Sequence, residues 1–297
     1  MGENGTNTAA QITEAAILLN MIVKLRAADG MPLWALKRGY LLPQTGVSSI
    51  QTDGHAVTTY DRTTFGAAEV AAQTQLTVTS STDMTASDQI GLELDDGTMQ
   101  WTTITSVDSG TLITIAAAGG LTSAAASGNQ IFSYTASSQR IQKPLRIIEA
   151  NVLDVTDDIS SEIDVVTRED YFGINNRTST STGGPLVIYY DQVSNSATNL
   201  DDGNIFFWPR FSGGNNIVEF TYQRPFQDFD ATGDNPDFPP QFYLPLMLEL
   251  AALLGPKFGV PRDVNKDNLT LAAMYRAEVL STLYEEGSLR VSPNTNG

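Results

Sequence analysis

The chain has 297 residues, 41% of them hydrophobic, and a formal net charge of −17 from 17 Lys and Arg against 34 Asp and Glu. This length permits one large core but favours two domains. The sequence contains no cysteine and a single histidine, His55, which excludes disulfides, zinc–thiolate sites and cysteine nucleophiles.

Composition disfavours three further classes of protein. No stretch approaches about 18 consecutive apolar residues, so we expect no transmembrane helix and no membrane partner. The N-terminus is polar and has no basic segment before an apolar run, so a Sec-type signal is not expected. Sequence-independent DNA binding depends on Lys and Arg that neutralise phosphates, so a chain this acidic is not expected to bind DNA tightly.

The N-terminal region predicts a helix from Gln11 to Ala28, because Ile12, Leu19 and Ile22 recur at helical spacing and mark one apolar face. A glycine follows this helix and favours a C-terminal cap, since glycine adopts the left-handed conformation at low cost. Residues 40–43 are predicted to form an extended arm.

From residue 66 to residue 139 the sequence is dominated by Ala, Ser, Thr and Gly, and short runs alternate apolar and polar residues. Such alternation, with turn residues between the runs, predicts half-buried strands. Asp95-Asp-Gly97 and Asp108-Ser-Gly110 are typical of hairpin turns. We therefore predict a small, inserted, all-β domain of five or six strands, like a sandwich or barrel. Its predicted strands are 75–79, 89–94, 99–104, 111–115 and 129–134.

Charge is unevenly distributed, because residues 63–139 contain no Lys, Arg or His and have a net charge of −7. One interpretation is that this negative charge keeps the protein soluble. The other is that it forms a surface that repels phosphate groups. The acidic residues of this segment are Glu69, Asp83, Asp88, Glu93, Asp95, Asp96 and Asp108.

After residue 139 longer apolar strands return. Residues 168–172 are predicted to form a short helix, and the Ser-, Thr-, Gly- and Asn-rich segment 175–184 is predicted to be a mobile loop. An acidic and aromatic loop, 224–230, follows the last strand and precedes a helix that begins with proline. The predicted strands of this region are 144–152, 161–166, 185–190, 204–208 and 217–222.

Two helices, about 240–257 and 263–286, are predicted near the C-terminus. The predicted fold class is α+β: a helical bundle, made of the N-terminal helix and these two helices, with a central antiparallel β region and an inserted small all-β domain. The host domain would comprise residues 1–65 and 140–297, the inserted domain 66–139, and a flexible C-terminal tail 287–297.

Motifs that carry chemistry are scarce. The sequence has no Gly-x-x-x-x-Gly-Lys loop and no Gly-x-Ser-x-Gly elbow, so phosphate cradling and serine-hydrolase chemistry are not predicted. Asp53, His55 and Ser48 or Ser49 could be arranged as a triad, but His55 is better interpreted as a solvent-exposed loop residue. Acidic pairs such as Asp157-Asp158 are typical of turns, although two carboxylates across a sugar cleft would suit glycan cleavage. No metal site or cofactor is predicted.

Several short motifs follow one another in an unusual order. They are Leu19-Asn20 with Gly30 and Leu33-Trp34, then Arg168-Glu-Asp-Tyr171, Gly184-Pro-Leu-Val-Ile-Tyr-Tyr-Asp191, Ile205-Phe-Phe-Trp-Pro209, Tyr222-Gln-Arg-Pro-Phe-Gln-Asp-Phe-Asp230 and Phe238-Pro-Pro240. In this order the chain resembles the head-to-tail adaptor proteins (tail accessory or DNA-stabilising proteins) of short-tailed bacteriophages, over residues 11–60 and 140–286. The 66–139 insertion is atypical of that family.

The resemblance implies a structural protein without enzyme activity, located in the virion and assembled in the bacterial cytoplasm. It implies a ring, usually of twelve copies, that docks under the portal protein, extends the DNA channel and receives a nozzle or tail fibre protein. The residues it implies at the portal interface are Leu283, Tyr284, Leu289, Arg290 and Val291. The residues it implies in a subunit-interface or tail-docking loop are Tyr222, Arg224, Phe226, Asp228, Phe229 and Asp230.

Two alternatives remain open at this point. One is a glycan-cleaving, muramidase-like virion enzyme that uses a pair of carboxylates. The other is a different tail or decoration protein, in which the β domain binds carbohydrate.

Overall fold

A computed structural model describes residues 9–29, 36–52, 54–192, 203–224 and 240–281. The chain divides into two compact units: a helical unit, formed by Met1–Leu36 and Pro225–Gly297, and a β unit, formed by Lys37–Arg224. The helices among the described residues are α1 (Ala9–Asp29), α2 (Ala136–Gln139), α3 (Arg168–Gly173), α4 (Tyr243–Leu254) and α5 (Arg262–Ser281).

The strands in the described part of the chain all lie between residues 36 and 223. They are β1 (Leu36–Leu41), β2 (Ser49–Gln51), β3 (Ala56–Val57), β4 (Asp61–Thr64), β5 (Gln75–Thr77), β6 (Gln89–Glu93), β7 (Met99–Ser109), β8 (Leu112–Ile115), β9 (Gln130–Tyr134), β10 (Arg146–Asp154), β11 (Ile159–Val165), β12 (Thr180–Ser181), β13 (Val187–Asp191), β14 (Asn204–Trp208), β15 (Arg210–Phe211) and β16 (Asn216–Gln223).

In the helical unit, α1 packs on α4 and α4 packs on α5. Turns of 3-10 helix at Pro240–Phe242 and Gly255–Phe258 flank α4. An ion pair between Lys257, in the turn that follows α4, and Glu14 joins this end of α4 to α1. The predicted packing of the N-terminal helix is confirmed for α4, the first of the two C-terminal helices. The small core of this unit consists of Ile22, Val23, Phe242 and Leu246, with Leu250, Val279 and Leu280 packed against it.

The larger sheet of the β unit has eight strands in the order β2-β14-β13-β11-β10-β16-β1-β3 and is nearly closed. Most neighbours pair antiparallel, but β11 and β13 run parallel, with Asp164 opposite Val187. A parallel pair needs a long crossover, and here α3 and the segment after it provide that length. The predicted extended arm at 40–43 is wrong in part, because Tyr40 belongs to β1 and pairs with Val57 of β3.

The smaller sheet has six antiparallel strands in the order β4-β9-β6-β7-β8-β5. The five strands predicted between residues 75 and 134 are confirmed, and β4 adds a sixth strand before residue 66. Both predicted hairpin turns are also confirmed, since they join β6 to β7 and β7 to β8. Gly97 has a φ of +79°, where a side chain would be strained, whereas Gly110 does not adopt a left-handed conformation.

The two sheets share a cluster of buried side chains in the β unit. It consists of Leu42, Val57, Met99, Phe132, Tyr134, Val155 and Ile217. Glu93 also joins the sheets, because its carboxylate accepts hydrogen bonds from the backbone N–H of Gly214 and of Gln130, both at 2.9 Å. The indole of Trp101 donates to the backbone oxygen of Pro43 at 3.0 Å. The division of residues 66–139 into a separate domain stays a prediction.

The predicted fold class is wrong, because the described part of the chain is mostly β, with more residues in strands than in helices. Two of the five helices in the described ranges, α2 and α3, have only four and six residues. The physical reason is that much of the sequence between residues 36 and 224 alternates apolar and polar side chains, and the apolar ones are buried in the cores of the two sheets. The three long helices therefore form a small separate core and do not organise the whole fold as a bundle.

Candidate interaction surfaces

The predicted subunit-interface loop leaves the end of β16. Tyr222 is buried in the core of the eight-stranded sheet, where its ring lies 5.8 Å from that of Phe220. Burial raises the pKa of the Tyr222 phenol, and the charge of half-buried Arg224 lowers it by less. Tyr222 therefore anchors the strand from which the loop departs. The other residues predicted for this site, Phe226, Asp228, Phe229 and Asp230, lie outside the described residues.

The predicted portal interface lies beyond the described part of α5, which ends at Ser281. Its residues Leu283, Tyr284, Leu289, Arg290 and Val291, like the predicted tail 287–297, are outside the described residues.

All three long helices of the helical unit expose large apolar side chains. On α1, Ile17, Met21 and Leu25 are 50%, 60% and 56% exposed, and Met247 of α4 and Met274 of α5 are 60% and 64% exposed. Single exposed apolar residues are ordinary, but several on each helix of a small unit indicate an interaction surface. Further exposed apolar residues of this unit are Ile12, Tyr243, Leu244, Leu253, Phe258, Val264, Leu269, Leu271 and Tyr275.

Sequence reasoning missed the second apolar stripe of α1. A single apolar face was predicted for this helix, and Ile22 and Val23 of that face are buried in the structure. Ile17, Met21 and Leu25 recur every four residues and so form a stripe of their own, which was visible in the sequence.

A cavity of about 330 Å³ lies between α4 and α5. Its wall is mostly apolar, but Glu249, only 7% exposed, and Arg276 also line it. The Nη1 atom of Arg276 lies 4.0 Å from an Oε atom of Glu249, so the two charges lie side by side. Arg276 therefore helps to compensate the buried charge of Glu249.

A second surface lies on the β unit, where two arginines flank an exposed ring. The Cζ atoms of Arg168 and Arg177 lie 5.7 Å and 5.2 Å from the centroid of the Phe172 ring. Tyr189 of β13 and Phe206 of β14 lie beside that ring, at centroid distances of 6.2 Å and 5.8 Å. We call these five residues the arginine–aromatic patch. Sequence reasoning predicted the short helix here but missed the patch, because its members are brought together by strand pairing.

His55 is half-buried between the two sheets, so the prediction of a solvent-exposed histidine is wrong. Its ring stacks on the indole of Trp101, with centroids 3.7 Å apart and planes 17° apart. Its Nδ1 atom lies 3.1 Å from the hydroxyl of Tyr134, which donates its hydrogen to the backbone oxygen of Gly54. That hydroxyl has one hydrogen, so His55 Nδ1 must be the donor in the first bond.

This environment explains the charge state of His55. Burial, and then the positive charge of Arg140, lower the pKa of the imidazole from 6.5 to about 4. The ring is therefore neutral at neutral pH. The hydrogen bond recorded for it within the described residues goes to Tyr134, not to Ser48 or Ser49. Asp53 lies outside the described residues.

The acidic residues of segment 63–139 divide into two groups. Glu69 and Asp88 are 7% and 2% exposed and accept hydrogen bonds from Thr77 and Thr85. These two, with Glu93, support the local backbone. The exposed acidic residues are Asp83, Asp95, Asp96 and Asp108. The negative surface of this segment is therefore smaller than its composition suggests.

The described carboxylate pairs occupy turns. Asp157 and Asp158 lie between β10 and β11, where Asp158 has a φ of +55°. Asp96 caps its turn by accepting from Thr98, and these hydrogen bonds lower the pKa of its carboxyl group. In the described ranges, no three His, Asp or Glu side chains come together in a way that could hold a metal ion. No helix in those ranges is long and apolar enough to cross a membrane.

Comparisons with models of protein families, with curated proteins and with solved structures found no match to this chain.

Proposed function

We propose that this chain is the head-to-tail adaptor of a short-tailed bacteriophage, a structural subunit and not an enzyme. In this proposal, copies of the chain, twelve in the family it resembles, form a ring under the portal protein of the virion. The ring extends the DNA channel and provides the attachment site for a nozzle or tail fibre protein. The observation that carries the proposal is the exposed apolar surface of α1, α4 and α5.

That surface suits a subunit whose helices are completed by assembly. The helical unit buries few large apolar residues in its own core and leaves Met21, Met247 and Met274 at least 60% exposed. Methionine side chains adapt to irregular partner surfaces. Interfaces of permanent assemblies resemble a protein core cut in half. A partner that covers these helices would supply the missing half.

The motifs of the resemblance also support the proposal by their location. Those of the β region fall on α3, β13, β14 and β16, which belong to or pack on one sheet. Short motifs that lie together in one sheet are more informative than the same motifs scattered over the fold. The motifs of the β region therefore belong to one contiguous part of the fold.

The charge of the chain is compatible with DNA that passes through a ring. With a net charge of −17, the chain offers few cations to neutralise phosphates. Exposed carboxylates on the six-stranded sheet, such as Asp96 and Asp108, would repel phosphate further.

The direct test is to mix the purified chain with purified portal rings and examine the product by size-exclusion chromatography and electron microscopy. We expect a second ring, coaxial with the portal. If the chain never bound portal rings over a range of salt concentrations, the proposal would be refuted.

A matched pair of variants tests the role of the helical surface. Met274→Asp places a charge at an exposed apolar position of α5, and Thr270→Asp places it at an exposed polar position one turn earlier. We expect Met274→Asp to abolish ring formation or portal binding while its thermal unfolding stays close to that of the wild type, because surface changes rarely alter stability. Thr270→Asp should assemble normally. Removal of residues 288–297 should weaken portal binding and leave the fold intact, as circular dichroism would show.

A further inference from the structure

We infer that the arginine–aromatic patch binds the acidic and aromatic segment 225–239 of a second copy of this chain. The inference rests on the proposed function, because it names the contact by which neighbouring subunits would join. It starts from two guanidinium groups that form no ion pair with any residue of the described ranges, on a protein that is otherwise strongly acidic.

Helix α3 anchors the aromatic centre of the patch. Thr167 caps α3 by accepting from the backbone N–H of Asp170. Tyr171 of α3 is buried, and its hydroxyl lies 3.3 Å from the backbone oxygens of Ser48 and Phe207. This anchor fixes the next residue, Phe172, on the sheet surface with 44% of its side chain exposed. The exposed ring of Phe172 is therefore in place before any partner binds.

The cations of the patch are available. Among the residues that the structure describes, neither Arg168 nor Arg177 forms an ion pair, and both are exposed. The two carboxylates nearest along the chain do not neutralise these arginines. Asp170 accepts a hydrogen bond from the hydroxyl of Thr167. Glu169 forms no ion pair with either arginine. Two unpaired guanidinium groups beside aromatic rings have the composition of an interface hot spot.

Segment 225–239 has the complementary chemistry. It contains four aspartates, three phenylalanines and no Lys or Arg. Carboxylates can form bidentate pairs with guanidinium groups, and phenyl rings can stack on the patch. Fifteen residues span up to about 50 Å when extended, and because the segment is joined to the chain at both ends, it can project up to about 25 Å towards a neighbouring subunit. The aspartates and phenylalanines of the segment are Phe226, Asp228, Phe229, Asp230, Asp234, Asp237 and Phe238.

A patch on one copy that binds a segment of the next is a heterologous contact, and such contacts close into rings when the rotation permits. The same contact within one chain would not link subunits. The occupant is therefore assigned to a second copy, and the experiment must separate the two arrangements.

The first measurement is the affinity of a labelled synthetic peptide, residues 225–239, for the full chain by fluorescence anisotropy. In this experiment the full chain carries Asp→Asn changes at 228, 230, 234 and 237, so that its own segment does not compete with the peptide for the patch. We expect binding that weakens with salt and falls at least about tenfold in Arg168→Gln/Arg177→Gln, because each guanidinium loses its carboxylate partner. Arg62→Gln, an exposed arginine of β4, is the matched control and should bind as before.

Three outcomes would overturn the inference. The peptide binds equally well when its own four aspartates are replaced by asparagine. The affinity is unchanged by the arginine substitutions. Or a single-stranded oligonucleotide binds through the same arginines more tightly than the peptide, which would assign the patch to nucleic acid.

The second measurement separates contact between copies from contact within one chain. The variant with Asn at positions 228, 230, 234 and 237 retains the arginines of the patch. The Arg168→Gln/Arg177→Gln variant retains the acidic segment 225–239. Mixed together, they should form a one-to-one pair in analytical ultracentrifugation, although neither associates alone. A mixture that stays monomeric under conditions where the wild type associates would show docking within one chain and refute the inference.

These results are independent of the test of the proposed function. Normal rings on the portal with Arg168→Gln/Arg177→Gln would overturn this inference and leave the adaptor proposal intact. Failure of the wild type to bind the portal would remove the adaptor proposal, while the peptide affinity would still decide what the patch binds.

Discussion

Acidification should destabilise the β unit through His55, the single histidine of the chain. The folded-state pKa of His55 is about 4, lowered from 6.5 by burial and by Arg140. Above pH 6.5 the imidazole is neutral in both folded and unfolded chains, so its contribution to stability is fully present. Between these two pKa values only the unfolded chain binds the proton, so stability falls as the pH falls through this window.

The magnitude follows from the two pKa values. One unit of pKa difference corresponds to about 1.4 kcal/mol, so the free energy of unfolding should fall by about 2 kcal/mol between pH 7.5 and pH 5. That loss is a large fraction of the stability of a typical domain.

The assay has a direct and an indirect part. Because there is one histidine, the imidazole C–H resonance in a proton NMR titration reports His55 alone, and its midpoint should lie near pH 4. Urea unfolding at the two pH values, followed by tryptophan fluorescence, should show the loss of stability. His55→Phe keeps a ring against Trp101 and cannot titrate, so its stability should change much less over the same range. A midpoint near 6.5, or an equal loss in His55→Phe, would refute the reasoning.

Two further predictions concern the backbone contacts of the β unit. Gly120 has a φ of +73°, and a Cβ there would lie 2.4 Å from backbone atoms of Ala72, so Gly120→Ala should cost more than about 2 kcal/mol in chemical unfolding. Gly110→Ala, where a Cβ would meet nothing within 4 Å, should change stability by less than about 0.5 kcal/mol, and equal effects of the two changes would contradict the argument. Glu93→Leu removes the acceptor for the buried N–H groups of Gly214 and Gln130 and should cost about 2–4 kcal/mol. Asp96→Ala at the neighbouring exposed turn should cost less than about 1 kcal/mol, and a Glu93→Leu variant as stable as this control would show that the bridge between the sheets contributes little.

Local elements of this protein were largely predictable from its sequence. Alternation of apolar and polar residues located ten of the sixteen described strands, and periodicity located the long helices, because each pattern reflects neighbours close in the chain. The short strands β1–β4, β12 and β15 were not predicted, and β12 lies in the segment 175–184 that was predicted to be a mobile loop. Gly97 marked its hairpin turn for the same local reason. The site residues were harder to predict. The patch around Phe172 combines a short helix with two strands, and the stacking of His55 on Trp101 joins residues 46 positions apart.

The sequence by itself determined the positions of the longer strands and helices and the acidic character of the chain, since these follow from local pattern and composition. Only the tertiary structure decided the proportion of strands to helices, the parallel pairing of β11 with β13, the burial of His55 and the exposure of the α1 stripe. Each of these depends on which distant segments pack together. A one-dimensional pattern shows that a residue is apolar or titratable, but the neighbours that cover it are set by pairing across the whole chain.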